Sequence, residues 1–400
     1  MTTSRQPRVL VISKAPGPGR AKTRLVPPLT GAEAAELQRA LLLDTLDACR
    51  VEFDHVAILH ADPAEASEFE RLAPATPLVL QDGRGLEDAL GRTFERQLVD
   101  GPVAIVSSDV PGLPPGSLGR AFAALEDGAD VVLGPALDGG YWLIAMARFH
   151  PEPLREIPWS TPAVLGVTLA RCREAGLRVE LLETWRDLDT VVDLAFVRRD
   201  ADNLSARRTV VALAGLELPE PPSLELAETE LLAGSPWRAI LHDRLQDVDG
   251  RETGYSYLAV PRAVFVVAVT TEDELLLVRQ YRHPVRDWTL EVPAGSVHDG
   301  ETPREAAARE LAEETGGRTS EWRHLTTFYS SSAHISLRSD AFLATLVEVG
   351  AAAPDADEHV ELVRLPLAQA LERAHAGGFA EGQTALAILL AAPHLNGRTA

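Results

Sequence analysis

The first half of the chain alternates short apolar runs with longer amphipathic ones, and this alternation restricts the folds open to it. Up to about residue 200, six apolar runs of strand length, the first being RVLVIS from Arg8 to Ser13, are separated by stretches with helical periodicity. Strands separated by helices of that length predict a mostly parallel, Rossmann-like sheet with helices on both faces. Ligands bind such sheets at the carboxyl ends of the strands. We therefore expect a site in the loops that follow Ser13 and Ser108.

The pattern changes after a segment rich in Pro and Glu, LELPEPPSLELAETE, which has no clean period. We predict an interdomain linker over residues 216–235, between an N-terminal domain of residues 1–215 and a C-terminal domain of residues 236–400. Beyond it, alternating apolar runs indicate antiparallel strands, then one strong helix, further strands and a closing helix. The expected fold is an α/β domain followed by an α+β domain.

Length and charge narrow the class of protein. Four hundred residues exceed what one hydrophobic core usually organises. The formal net charge of −21 argues against a general binder of nucleic acid or anionic membranes, whereas an excess of carboxylates suits enzymes that handle Mg-nucleotides. No apolar run has the length of a signal peptide or a membrane span, so we expect a cytoplasmic protein.

A glutamate-rich helix is predicted within GSVHDGETPREAAARELAEETGG, residues 295–317. Thr302-Pro303-Arg304-Glu305 offers a helix cap, a proline at the first helical position and a capping box, and Gly316-Gly317 ends the helix. Glu310, Glu313 and Glu314 then lie on one helical face. Bunched carboxylates indicate a cation site, although spacing alone leaves a solvated acidic face as an equal alternative.

The full spacing resembles the box of the Nudix hydrolases, which act on nucleoside-diphosphate-X compounds. Gly295, five residues, Glu301, seven residues and the run RELAEETG match it, whereas Gly317 stands where the family usually has an aliphatic residue. The resemblance implies Mg²⁺, with Mn²⁺ as an alternative, for hydrolysis of a pyrophosphate bond. It implies that three glutamates bind the metal and are candidate catalytic residues: Glu310, Glu313 and Glu314. It also implies that four residues brace the site: Gly295, Glu301, Arg309 and Gly316.

Two further segments resemble the ADP-ribose and nucleotide-sugar pyrophosphatase branch of that family. In VRQYRHPV and LEVPAGSV, the resemblance implies a phosphate contact at Arg282 and an additional metal or water ligand at Glu291. FYSSSAHIS lacks the Ser-Pro-Gly expected of a typical ADP-ribose hydrolase, which leaves the substrate open. Glu358 and Glu361 occupy the region of a late catalytic acid, with a plain acidic loop as an equal alternative. Members of this branch are commonly dimers, so a homodimer through this domain is expected.

The loop after the first strand, KAPGPGRAKTRL, is basic but is not a P-loop. A P-loop requires a glycine directly before its lysine, and here Ala21 precedes Lys22. Pro16 and Pro18 also remove backbone N–H donors with which a P-loop holds phosphate. Positive charge for a triphosphate must then come from side chains: Lys14, Arg20, Lys22 and Arg24.

A carboxylate follows another strand of the same domain. PVAIVSSDVPGLPP is an apolar strand that ends in Asp109, which is well placed to hold Mg²⁺ over the crevice of a parallel sheet. A turn-capping aspartate before Val-Pro is the structural alternative.

These segments, together with DGGYW, WST and DLDTVVDL, resemble a bacterial family similar to phospholactate guanylyltransferase, with a glycosyltransferase-A-type fold. The resemblance implies a metal site and a nucleotidyl transfer that releases pyrophosphate, and it makes Asp109 a catalytic residue. One departure is GRGLEDALGRTF, where relatives tend to read G-D-L-G-x-R. The implied metal ligands are Asp109, Asp189 and Asp187, and the implied substrate pocket contains Asp138, Gly139, Gly140, Trp159, Ser160 and Thr161.

Three hypotheses for the function of the whole chain remain. The first is a bifunctional enzyme that uses small-molecule nucleotides and nucleotide-sugar-type substrates, with Mg²⁺ in both domains. In the second, the N-terminal domain is a glycosyltransferase with a nucleotide-sugar donor. In the third, one domain is a catalytically silent, nucleotide-binding regulator.

Overall fold

The computed structural model describes residues 6–26, 28–235, 238–247, 249–298, 300–352 and 360–395. Residue contacts divide the chain into two units, Met1–Ser256 and Tyr257–Ala400. The predicted boundary at a linker over 216–235 therefore differs from this division. Its second half forms a strand, Leu224–Ser235, because it pairs along its length with the strand Arg238–Asp247.

Among its described residues, the first unit is built on a sheet of seven strands. Its strands are β1 (Arg8–Ile12), β2 (Val56–His60), β3 (Leu78–Leu80), β4 (Val103–Ser107), β5 (Val131–Pro135), β6 (Tyr141–Met146) and β7 (Val179–Leu181). Its helices are α1 (Gly31–Glu52), α2 (Ala66–Leu72), α3 (Gly85–Gln97), α4 (Ser117–Glu126), α5 (Val164–Glu174), α6 (Val191–Arg199) and α7 (Arg207–Ala214).

The strands lie in the order β3-β2-β1-β4-β6-β5-β7, and β6 runs antiparallel to both of its neighbours. Along β1, Val9 and Val11 enter one buried cluster, whereas Leu10 enters another. This alternation places a hydrophobic layer on each face of the sheet, where the helices cover it. The mostly parallel α/β sheet expected from the sequence is confirmed.

Three strands follow: β8 (Leu224–Ser235), β9 (Arg238–Asp247) and β10 (Glu252–Ala259). They form a separate sheet in the order β10-β9-β8. Leu231 of β8 packs against α5 of the first unit, where a Cβ on Gly166 would lie 2.7 Å from the leucine side chain.

The second unit is an α+β fold around a mixed sheet in which β11 and β17 pair in parallel. In the predicted acidic helix, α8, Thr302 forms the capping box with Glu305 and Gly316 ends the helix with φ +71°. Val264 and Val266 pack towards α8, whereas Phe265 and Val267 pack towards α9 and α10, so helices cover both faces. The elements are β11 (Ala263–Thr270), β12 (Glu274–Arg282), β13 (Asp287–Glu291), β14 (Ala294–Ser296), α8 (Pro303–Thr315), β15 (Gly317–Arg318), β16 (Glu321–Tyr329), β17 (Arg338–Val349), β18 (Val360–Pro366), α9 (Leu367–His375) and α10 (Gly382–Ala391).

Among the described helices, none combines the length and the apolar character needed to cross a lipid bilayer.

Candidate functional sites

In the first unit, three carboxylates converge beside the basic loop. Oxygens of Asp138, Asp187 and Asp189 all lie within 4.8 Å of one another. The structure thus joins two predicted metal ligands to a residue predicted for the substrate pocket.

Electrostatics at this cluster fit a cation. Burial and the carboxylates of Asp138 and Asp189 raise the pKa of Asp187 to about 9, because a further negative charge is unfavourable there. Carboxylate oxygens are the ligands that hard divalent cations prefer. The three side chains therefore suit such an ion in both geometry and donor type.

Lys22 connects the basic loop to this region. Its ammonium lies 3.0 Å from Asp109 and 3.3 Å from Asp189, and it donates to the carbonyl oxygen of Leu188 at 2.6 Å. Its side chain is only 3% exposed. Burial works against its charge, but Asp109 and Asp189 outweigh burial and raise the pKa of Lys22.

The other basic residues of the loop divide into two kinds. Arg24 lies 3.0 Å from the second carboxylate oxygen of Asp189. Lys14 and Arg20 are exposed, and their side chains form no hydrogen bond or ion pair within the described part of the chain. These two side chains are accessible to an anionic ligand, whereas Lys22 is already engaged.

In the second unit, one arginine organises the acidic face of α8. The same guanidinium nitrogen of Arg309 lies 2.7 Å from Glu310 and 3.0 Å from Glu313. Its remaining donors reach both carboxylate oxygens of Glu301, at 2.9 and 3.1 Å, and the carbonyl oxygen of Ser296. The bracing role of Arg309 and Glu301 stays a prediction, and these contacts are the ones that it requires.

The loop before α8 closes onto the same carboxylates. A Cβ added at Gly295 would lie 2.0 Å from Glu310 Oε1, so any side chain there would force that carboxylate or the loop to move. Glu314 is buried and accepts a hydrogen bond from the amide of Ala294 at 3.0 Å. Within the described residues these glutamates do not form a group as tight as the aspartates of the first unit.

Comparisons with known proteins agree with this geometry. Residues 259–382 match the NUDIX domain family, and residues 42–161 match DUF2064, described as an uncharacterized protein conserved in bacteria. An ADP-ribose pyrophosphatase of Bacillus subtilis is 34% identical over 149 residues, which are 36% of this chain and 80% of that protein. The chain belongs to the Nudix family through its second unit, and a segment of its first unit matches the DUF2064 model.

Two relatives match the DUF2064 side. A 2-phospho-L-lactate guanylyltransferase of Natronomonas pharaonis is 34% identical over 194 residues, 46% of this chain and 83% of that protein. A phosphoenolpyruvate guanylyltransferase of Geodermatophilus obscurus is 33% identical over 185 residues, 44% of this chain and 80% of that protein. Both resemblances identified in the sequence are confirmed, and the chain is an enzyme.

Within the Nudix unit, two residues predicted to contact substrate and metal contact each other. The guanidinium of Arg282 lies 2.9 and 2.6 Å from the two carboxylate oxygens of Glu291. Thr289 and Gln280 donate to the same carboxylate. Burial opposes ionisation, but the Arg282 hydrogen bonds lower the pKa of Glu291.

The remaining Nudix predictions fall in three places. Glu361 is exposed on β18 and lies 3.3 Å from Arg279, and Glu358 lies outside the described residues. Gly317, the departure from the family pattern, is buried, and a Cβ there would lie 2.9 Å from Val347 and 3.0 Å from Leu311. The packing around it already occupies the space of an aliphatic side chain.

The predicted substrate pocket of the DUF2064 unit contains two tight turns. Gly140 donates to Asp138 at 2.8 Å, and Gly139 has φ +86° with the carbonyl oxygen of Pro162 only 2.0 Å from where its Cβ would stand. Thr161 caps the turn before α5 by accepting from the amide of Ala163.

Two aromatic and polar side chains complete that region. Trp159 packs edge-on against Tyr141, with ring centroids 6.2 Å apart. Ser160 is exposed and has φ +60°.

Sequence reasoning missed a buried polar network beneath the site. Gln38 of α1 donates to Ser13 at 3.2 Å and to Ser108 at 3.0 Å, and it thereby ties together the ends of β1 and β4. Glu65 accepts from the amide of Ala15 at 3.1 Å, at the start of the basic loop. The one indication in the sequence was that Gln38 is a polar residue on the predicted apolar face of α1.

Proposed function

We propose that the DUF2064 unit transfers a nucleotidyl group from a nucleoside triphosphate to a phosphorylated small acid. The observation that carries this proposal is the aspartate cluster beside Lys22, a residue anchored between Asp109 and Asp189. The two guanylyltransferase relatives support it, since each is named for a phosphorylated three-carbon acid. The accessible side chains of Lys14 and Arg20 then bind phosphate, and Lys22 holds the carboxylates in place.

The proposed transfer depends mainly on how the protein positions the triphosphate and the acceptor. The acceptor phosphate attacks the α-phosphorus of the triphosphate, a P–O–P bond forms, and pyrophosphate leaves. Magnesium bound by Asp187, Asp189 and Asp138, with Asp109 nearby, would neutralise charge on the phosphates. The protein's own cations and backbone orient both reactants.

The Nudix unit, in the same proposal, hydrolyses a P–O–P bond of the class that the first unit forms. Water attacks phosphorus, and the products are a nucleoside monophosphate and the phosphorylated acid. Glu310 and Glu313, both oriented by Arg309, and Glu314, held by Ala294, would bind the divalent cation. The B. subtilis relative, named as an ADP-ribose pyrophosphatase, supports this reaction type.

One assay of the full chain tests both halves. The chain is incubated with Mg²⁺, each nucleoside triphosphate, and either 2-phospholactate or phosphoenolpyruvate, and pyrophosphate and nucleoside monophosphate are quantified. We expect acceptor-dependent pyrophosphate release and then monophosphate. E313Q should stop the sequence at the nucleoside-diphosphate-linked acid, whereas D109N and D189N should abolish pyrophosphate release.

The alternatives give different products. A nucleotide-sugar-dependent glycosyltransferase would release nucleoside diphosphate and no pyrophosphate. E372Q, an exposed glutamate on α9, is the matched control and should behave as wild type. Monophosphate formation that persists in E313Q at the wild-type rate would contradict the role given to Glu313.

A further inference from the structure

An ionic cluster links strand β8 to the aspartate site of the first unit. Glu225 of β8 accepts from Arg186 through one carboxylate oxygen and from Arg199, at 3.0 Å, through the other. Both guanidinium groups stack on Phe196, at 4.4 and 5.0 Å from its ring centroid. Arg186 directly precedes Asp187.

A chain of contacts continues from this cluster to the metal-site segment. Arg186 lies 3.3 Å from one carboxylate oxygen of Asp193. The other oxygen of Asp193 accepts from the amides of Thr190 at 2.7 Å and Asp189 at 3.3 Å. Asp193 thus fixes the backbone on which the Asp189 carboxylate is carried.

Arg186 depends on Glu225 for this arrangement. Its side chain is only 13% exposed, and Glu225 and Asp193 both accept from its guanidinium, whose donors must be satisfied when it is buried. Without Glu225, Asp193 is its one remaining carboxylate partner among the described residues, and Arg186 is free to turn towards it or towards solvent. Either movement alters the side chain that holds the amide of Asp189.

Strand β8 lies in neither matched family segment, since these cover residues 42–161 and 259–382. Resting on the proposed function, we infer that Glu225 is a positioning residue for the carboxylate site of Asp187 and Asp189. The contact makes β8 part of the support of that site rather than a passive connection.

Binding of Mn²⁺ to the full chain, followed by the EPR signal of the free ion, tests this role without relying on turnover. D189N identifies the class of ion that belongs to the first unit, because it should remove that class. E225Q should weaken the same class by about three- to tenfold, a smaller effect than loss of a residue that holds a ligand directly. E225D, which keeps the charge, should recover part of the affinity.

Controls separate positioning from folding. E228Q removes an exposed glutamate of the same strand that also pairs with one arginine, Arg244, and should leave Mn²⁺ binding unchanged. The melting temperature is recorded for each variant. If E225Q proves too unstable for the binding experiment, E225D is the variant that tests the inference. A double cycle with D193N should be non-additive, since both residues act on Asp189.

The outcomes are distinct. E225Q binding within twofold of wild type, or additive effects in the double cycle, would overturn the inference. A D189N chain that binds Mn²⁺ as wild type does would overturn the proposed carboxylate site and the role of Glu225 with it. If D189N and E225Q weaken Mn²⁺ binding as expected but the wild-type chain releases no pyrophosphate, the proposed reaction is contradicted and the role of Glu225 is retained.

Discussion

The ammonium of Lys22 lies 3.0 Å from a carboxylate oxygen of Asp109, so the basic loop after β1 is fastened to the loop after β4. Lys22 is held in the left-handed region, with φ 52°, which a non-glycine residue adopts only where surrounding contacts fix it. This loop resembles a P-loop in sequence, but its lysine side chain anchors the loop to the protein. Its role differs from that of the exposed Lys14.

Replacing each lysine with methionine should separate these two roles. K22M removes a buried cation from two carboxylates, and we expect a loss of about 1–3 kcal/mol in the free energy of unfolding. K14M should change stability by less than about 0.5 kcal/mol while weakening nucleotide affinity. Urea unfolding and equilibrium nucleotide binding measure the two effects, and equal stability losses would contradict the assignment.

Gly139 offers a second test, through its approach to Pro162. G139A combines a positive φ with a Cβ only 2.0 Å from a carbonyl oxygen, so we expect a loss of about 2–4 kcal/mol. Gly176 also has positive φ, +70°, but nothing stands within 4 Å of its Cβ position. G176A should therefore cost only about 1 kcal/mol. Similar melting temperatures for the two variants would show that the close approach is unimportant.

Local chemistry predicted much of the fold and part of the sites. The capping box of Thr302 and Glu305 depends on four consecutive residues, and the structure contains it. A site was expected in the loops after Ser13 and Ser108 because ligands bind parallel sheets at the carboxyl ends of the strands, and the hydroxyls of Ser13 and Ser108 lie 3.0 Å apart. Such features follow from periodicity and topology alone.

Other features depend on pairings between distant residues. Asp138 reaches Asp187 and Asp189 because the chain turns back after β5 into the antiparallel β6, a reversal that the alternating pattern did not reveal. The Pro- and Glu-rich segment has no clean period of its own, yet Leu224 to Ser235 becomes a strand by pairing with β9. Contacts of this kind are absent from any local stretch of sequence.

Stability of the second unit should depend on pH through Asp340. Burial opposes its ionisation, but Arg262, at 2.8 Å, together with Thr327 and His324, lowers the pKa of Asp340 below its usual range. As pH falls, the unfolded chain takes up the proton first, so the stabilisation is complete above about pH 4 and is lost as pH falls through the folded-state pKa.

D340N should therefore cost about 2 kcal/mol at pH 7 and make stability less dependent on pH below about pH 4. Urea unfolding of the full chain from pH 3 to pH 7 measures both quantities. E348Q, an exposed glutamate on the same strand β17, is the control and should follow wild type. A D340N curve parallel to that of wild type at low pH would contradict the lowered pKa.

Gly295 offers a specific test of the Nudix site, because the atoms nearest to a Cβ at this position belong to the Glu310 carboxylate. G295A would place a methyl group 2.0 Å from Glu310 Oε1, so the carboxylate must turn away from Arg309 or the loop must move. We expect hydrolysis of the P–O–P bond to be slower by at least about a hundredfold, since small displacements of catalytic groups have effects of that size. G382A provides the control, since its Cβ meets nothing within 4 Å, and it should retain both activity and stability.

Hydrolysis is followed as nucleoside monophosphate release, with the Mg²⁺ dependence recorded for each variant. Raised Mg²⁺ should restore part of the activity of G295A if the displaced carboxylate is a metal ligand, and wild-type hydrolysis by G295A at every Mg²⁺ concentration would exclude Glu310 from the site.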